Sequence, residues 1–264
     1  DGPAYAAGGL RGLVAAVATL PGLPTAVRIA DPAEPDGAAA SGAAGSDAAE
    51  GIGEGNRPLF RHLLAGGLAS LPTVDARLRA SPPARVLDVG CGAGWSSIAM
   101  ATAYPLAHVD GVDANEASIA VARRSAEAAG LAGRVRFSVA DGADPGVEGP
   151  FDLVTLFETV HDMTHPGAVL GACRRSLAPD GTCLVVDARV AEEFAAPAGR
   201  IDRIAYGWSV VDCLPAVLGA EGSAATGAVM RPATLAAYAR EAGFADLEIL
   251  PIEDPGWRFY RLVP

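Results

Sequence analysis

RVLDVGCGAGWSS, residues 85 to 97, decides the fold. Its first five residues read as a β-strand, Gly90, Gly92 and Gly94 then alternate with small residues, and helical spacing opens at Trp95. A strand that passes through a glycine turn into a helix builds the edge at which open α/β sheets bind ligands. Glycine lets the backbone turn tightly and approach a ligand within van der Waals contact, which a Cβ prevents. A dinucleotide fingerprint would place its third small residue at position 95, where this chain has Trp95, so the spacing disfavours a dinucleotide.

Outward from this loop the chain alternates between two periodicities. Strand candidates at 85–89, 107–113, 135–140, 151–157 and 181–188 alternate with helical stretches at 95–104, 115–130 and 165–177. This is the βαβ pattern of an open, mostly parallel sheet with helices on both faces. Asn115 is placed to cap the second helix, Gly130 to end it, and Pro179-Asp180-Gly181 to form a turn before the next strand. After a helix at 234–243, the stretches 244–252 and 257–263 are expected to close the sheet as a hairpin-like, antiparallel pair. Residues 189–232 break the alternation and read as an insertion that caps the ligand-binding edge.

Before the sheet, helical spacing runs from Arg57 to Ala80 with a break near Pro72. Residues 1–55 combine a short helical segment, with Leu10, Leu13, Val14 and Val17 on one face, and a low-complexity stretch at 31–55 that reads as a loop or linker. The expected organisation is therefore this N-terminal segment followed by one ligand-binding domain over 56–264. The chain begins at Asp1 rather than Met, which leaves room for an upstream segment.

Composition narrows the partners. At 264 residues, half of them hydrophobic, the chain can bury a sizeable core, and no apolar run reaches the roughly 18–20 residues that span a bilayer. A net charge of −11 without a basic stripe argues against nucleic acid and for a compact ligand. All 20 basic residues are arginine, a composition resembling that of high-GC bacteria. Cys91, Cys173, Cys183 and Cys213 form no CxxC pair, so neither a metal site nor a disulfide framework is expected, and a cytoplasmic location is.

The run acid-x-Gly-x-Gly-x-Gly from Asp88 to Gly94 resembles motif I of the class I S-adenosylmethionine-dependent methyltransferases. The resemblance continues with Asp113 about 20 residues further on, with Ala140-Asp141-Gly142 after the third strand, and with the strand 151–157. It implies a Rossmann-like methyltransferase sheet and S-adenosyl-L-methionine as cofactor, leaving as S-adenosyl-L-homocysteine. Asp113 would accept from the ribose hydroxyls and Asp141, beside Gly142, from the adenine amine. Asp88 and the backbone of Gly90, Gly92 and Gly94 would hold the amino-acid end, and Phe157 is a further expected cofactor contact.

FETVHDM, residues 157–163, puts His161 and Asp162 at the end of the fourth strand, the edge where such sheets bind ligands. Histidine titrates near neutrality and can take the proton of a hydroxyl acceptor, and it can also be a strand-end residue satisfied by backbone. Which carboxylate, if any, orients it is open. The stretch resembles that of plant and bacterial small-molecule O-methyltransferases, in which a His-Asp pair supplies the base, although Met163 stands where those enzymes commonly have tryptophan. A closer resemblance is to bacterial methyltransferases with an N-terminal winged-helix-like domain and a C-terminal half similar to YGWSVVDCLP and WRFYRL. Glu158, Asp162, Tyr206 and Trp208 are candidates for the acceptor pocket. The expected activity is methylation of a small organic acceptor, at an oxygen of a secondary metabolite, by an enzyme able to form a homodimer. The alternatives are carbon or nitrogen methylation, a cofactor-binding regulatory protein, and a non-methyl-transfer reaction on the same fold.

Overall fold

A computed structural model of the chain describes residues 51, 53–57 and 59–264. The expected helix within 1–30 lies outside these residues, as does most of the low-complexity stretch. Residues 51 and 53–57 are already helical, so order begins earlier than the composition of 31–55 implies.

Seven strands form one sheet: β1 (Arg85–Val89), β2 (His108–Asp113), β3 (Val135–Val139), β4 (Phe151–Phe157), β5 (Leu177–Ala188), β6 (Asp246–Ile249) and β7 (Trp257–Val263). Their order is β3-β2-β1-β4-β5-β7-β6. The first five are mutually parallel, whereas β7 runs antiparallel to both β5 and β6. The helices are α1 (Ala65–Ala69), α2 (Pro72–Arg79), α3 (Trp95–Ala103), α4 (Glu116–Ala128), α5 (Pro166–Ser176), α6 (Arg200–Trp208), α7 (Leu214–Val217) and α8 (Pro232–Glu241). Among the described residues no helix is long and apolar enough to cross a membrane.

Alternation along the strands feeds two cores. Val86, Leu153, Leu184 and Val186 join one cluster with Leu78, Met100 and Ile119 from α2, α3 and α4. Leu87, Val154, Leu156 and Val185 join the other with Leu170 and Leu235 from α5 and α8. Burying both faces is why the central strands read as near-continuous apolar runs.

The punctuation holds at the second helix: the Asn115 side chain accepts from Ser118 N–H at 3.0 Å, and Gly130 takes φ +70°. It differs before the fifth strand. β5 starts at Leu177, paired with Phe151, and the register shifts before Thr182 pairs with Leu153. Pro179-Asp180-Gly181 therefore forms an irregularity inside a strand, not the expected turn ahead of one.

Candidate cofactor and acceptor site

At the end of β1 the chain doubles back, with Gly90 N–H and Cys91 N–H both donating to the Val112 carbonyl at 2.8 and 3.1 Å. The three glycines have φ of +69°, +51° and +81°, but for different reasons. A Cβ on Gly90 would lie 2.1 Å from Thr159 Oγ1, and one on Gly94 would lie 2.6 Å from the Phe137 ring. A Cβ on Gly92 would meet nothing within 4 Å. Close approach by a ligand is thus open at Gly92, while Gly90 and Gly94 answer to the protein's own packing.

Asp88 lies behind this loop. It is 1% exposed and accepts from Ser96 Oγ at 2.5 Å, Ser97 Oγ at 2.6 Å and Thr155 Oγ1 at 2.8 Å. Burial pushes its carboxyl up, against the pull of the three hydroxyls. These bonds tie β1 to β4 and to the start of α3.

Asp113 ends β2, where Oδ2 accepts from Gly92 N–H and Oδ1 from Asn115 N–H, each at 2.8 Å. Each oxygen keeps a further lone pair for a ligand. Burial raises this carboxyl, and the two backbone amides hold it back. Asp141 is exposed and accepts from Ala143 N–H at 2.8 Å, beside a half-buried Gly142. The Phe157 ring is buried edge-on against Phe60 at a centroid distance of 5.5 Å. The early helical residues also flank the loop, with the Arg57 guanidinium 4.1 Å from the centre of the Trp95 ring.

Beyond β4 the chain enters a tight turn. Glu158 takes φ +54°, its N–H donates to Val186 O at 2.8 Å, and its Oε1 is buried with no hydrogen-bond partner among the described residues. Burial and then the Asp187 charge push its carboxyl well up. His161 sits in the 3-10 turn Val160–Asp162 and is 4% exposed. Its Nδ1 lies 2.9 Å from both oxygens of Asp187, a residue the sequence reading passed over. In the neutral ring, with Nδ1–H donated to that carboxylate, Nε2 carries the lone pair; in the imidazolium it carries a proton that faces Asp162 Oδ1 at 3.4 Å. Burial alone would depress the imidazole, but Asp187 and Asp162 together outweigh it and hold its pKa well above the usual value.

The insertion closes this side through the π-helical turn Ser209–Cys213. The Cys213 thiol contacts His161, and burial pushes it up to about 12. Trp208 is half-buried in a small cluster with Val190, Ala205, Cys213 and Ala228. The structure does not bring Tyr206 to the His161 group: it is 38% exposed and its hydroxyl accepts from Arg231 at 3.3 Å. His165 stands as the residue before α5 without a side-chain cap bond. Of the missed residues, Asp187 carried a usable signal, an acid ending a buried strand; Cys213 carried none.

The sequence and the fold match known proteins. A methyltransferase-domain family profile covers residues 81–208. The ubiquinone biosynthesis O-methyltransferase of Pseudomonas aeruginosa (strain UCBPP-PA14) is 33% identical over 187 residues, 67% of this chain and 72% of that one. Among solved structures, an O-methyltransferase family protein from Burkholderia thailandensis superposes with a TM-score of 0.67 at 16% identity, covering 97% of this chain and 71% of that one. The O-methyltransferase NcsB1 from neocarzinostatin biosynthesis, solved with S-adenosyl-L-homocysteine and 1,4-dihydroxy-2-naphthoic acid, gives 0.52 at 22% identity over 77% of this chain and 56% of that one. The chain belongs to the class I S-adenosylmethionine-dependent methyltransferases.

Proposed function

We propose that this enzyme methylates an oxygen of a small organic acceptor, with His161 as the proton acceptor and Asp187 as the residue that positions it. The observation that carries the reading is the pair of 2.9 Å contacts between His161 Nδ1 and Asp187, at the edge where β4 and β5 end. The residues fit the family's cofactor. Gly92 leaves open space where any other residue would carry a Cβ, Asp113 retains lone pairs for two hydroxyls, and Asp141 is exposed. S-adenosylmethionine, when bound, supplies an electrophilic methyl group.

The chain's own task is to present the acceptor with an available lone pair. His161 takes the hydroxyl proton on Nε2, and the imidazolium that forms lies between the carboxylates of Asp187 and Asp162. The two carboxylates favour the imidazolium, so Nε2 must first release its proton; Asp187 then fixes the tautomer and the ring plane and aims the freed lone pair at the acceptor. Relatives support the acceptor class: one is named for ubiquinone biosynthesis, and NcsB1 was solved with a dihydroxynaphthoic acid. We further place the enzyme in a reducing cytoplasm, in keeping with four free, buried thiols. A homodimer is the assembly we favour, supported by the exposed apolar side chains of Phe194, Ile204 and Val210.

The test is turnover of a phenol and hydroxynaphthoate panel with isotopically labelled cofactor methyl, repeated with His161→Gln. We expect the label on oxygen and a loss of about 10²- to 10⁴-fold in kcat, with S-adenosyl-L-homocysteine affinity retained. Normal turnover in the variant rejects the base. Label on carbon or nitrogen rejects the acceptor, and tight cofactor binding without turnover of any acceptor returns the regulatory alternative.

A further inference from the structure

The far side of the His161 ring is lined by donors of three kinds. A ring nitrogen of His161, an Asp162 carboxylate oxygen and Cys213 Sγ all lie within 4.8 Å of one another. They come from two turns that face each other, Val160–Asp162 after β4 and Ser209–Cys213 in the cap insertion. The 3.4 Å between Nε2 and Asp162 Oδ1 is long for a hydrogen bond, whose usual range ends near about 3.2 Å. It matches the edge of a tetrahedron around an ion held by nitrogen and oxygen at about 2.0–2.1 Å, which is about 3.4 Å.

The donor set has a definite preference. A thiolate with an imidazole and a carboxylate suits Zn2+ and disfavours magnesium or calcium, which take oxygen alone. The other ring nitrogen is held by Asp187, the carboxylate–histidine support common to zinc ligands. A second observation points the same way. Glu158, His161 and Asp187 also place one donor atom each within 4.8 Å of one another, and Glu158 Oε1 is buried without a partner among the described residues. Three acidic side chains thus surround one imidazole.

We propose that His161 Nε2, Asp162 and Cys213 Sγ form a three-ligand Zn2+ site with an open fourth position, and that its occupation switches methyl transfer off by taking the lone pair of Nε2. Binding exchanges the Cys213 thiol proton, and any proton on Nε2, for the metal; the protons leave to solvent and nothing is oxidised or reduced. The binding stands on the donors alone, whereas the switching-off rests on the reading of His161 as base.

The experiment uses the full chain, stripped with chelator and desalted. Titration with Co2+ is expected to give one equivalent of tetrahedral d–d absorption with a thiolate-to-cobalt charge-transfer band, both bleached by Zn2+. Cys213→Ser abolishes the charge-transfer band, and Asp187→Asn weakens binding about 10- to 100-fold. In assays, Zn2+ lowers the initial rate of the wild-type enzyme at least 10-fold and chelator restores it. The rate of Cys213→Ser, relative to its own metal-free rate, falls less than 2-fold at the same Zn2+ concentration. No charge-transfer band, or the same band in Cys213→Ser, overturns the site. An unchanged rate in protein shown spectroscopically to hold the metal overturns the switch, while normal turnover of metal-free His161→Gln overturns the base reading and leaves the site standing.

Discussion

Glu158 carries two features that oppose folding. A non-glycine residue at φ +54° costs about 1–3 kcal/mol, and a buried carboxyl oxygen without a partner costs a further 1–3 kcal/mol or so. Both fall beside His161 and Asp187, where a polar ligand group would find its partner. Glu158→Gly removes both and gives up the roughly 0.5–1 kcal/mol that glycine's extra freedom in the unfolded chain demands, together with the carboxyl's hydrogen bond from Ala188 N–H, worth about 1 kcal/mol. The variant should therefore be more stable by about 1–3 kcal/mol in urea unfolding, while kcat/KM for the acceptor falls at least 10-fold. A Glu158→Gly protein less stable than wild type would show that this residue serves folding, not the site. FETVHDM alone displayed the histidine and the acid before it. What it concealed was Asp187, 26 residues on, because the meeting of the two depends on register: Phe157 pairs with Val186, which sets Asp187 across from the turn after β4. Strand positions were readable from apolar runs, and the register between them was not.

At the level of elements, capping chemistry was legible and irregularity was not. Asn115 and Gly130 act locally, so their residue types announce the helix ends, whereas Pro-Asp-Gly is equally compatible with a turn and with the register break that β5 contains. The insertion 189–232 was recognisable as a departure from the alternation, but its fastening came from one residue that nothing in the sequence distinguished. Arg231, just ahead of α8, donates Nη1 to the carbonyls of Ala191 and Glu193 and Nη2 to Tyr206 Oη. Its Nη1 also lies 3.9 Å from Asp202, which is 3% exposed and accepts from Ala191 N–H at 2.8 Å. One guanidinium thus joins the start of the insertion, α6 and the start of α8. Arg231→Ala should cost about 2–3 kcal/mol, since hydrogen bonds to a charged group are lost and a buried aspartate loses its cation. Amide exchange at 189–213 should quicken and the acceptor KM rise, with cofactor affinity little changed. Unaltered exchange there would mean that the cap is held by its small apolar cluster instead.

Across the whole molecule, the strand order reverses between β1 and β4, and the chain's unusual acids gather on the carboxyl edge beside that switch point. The two apolar cores lie on the faces of the sheet and need no ligand. The edge is different: Asp113 is partly withdrawn from water with two backbone amides as its hydrogen-bond partners among the described residues, and burial already raises its carboxyl. A ligand that donates to it should therefore stabilise the whole fold, and should do so through this residue. S-adenosyl-L-homocysteine is the appropriate probe because it cannot react. At 100 times its Kd, binding to the native state alone contributes about 2.7 kcal/mol, which for a domain of this size corresponds to a Tm increase of roughly 5–10 °C. Asp113→Asn leaves one side-chain oxygen as acceptor in place of two and turns an amine toward either the ligand or the loop. Its own Tm should fall because the bond to Gly92 N–H weakens, so the comparison is the ligand-induced shift and not the absolute value. That shift should drop below half of the wild-type figure at the same concentration, with a Kd raised at least 10-fold by calorimetry. If the variant shows the full shift, Asp113 does no more than brace the glycine loop, and the cofactor must be recognised elsewhere on the edge.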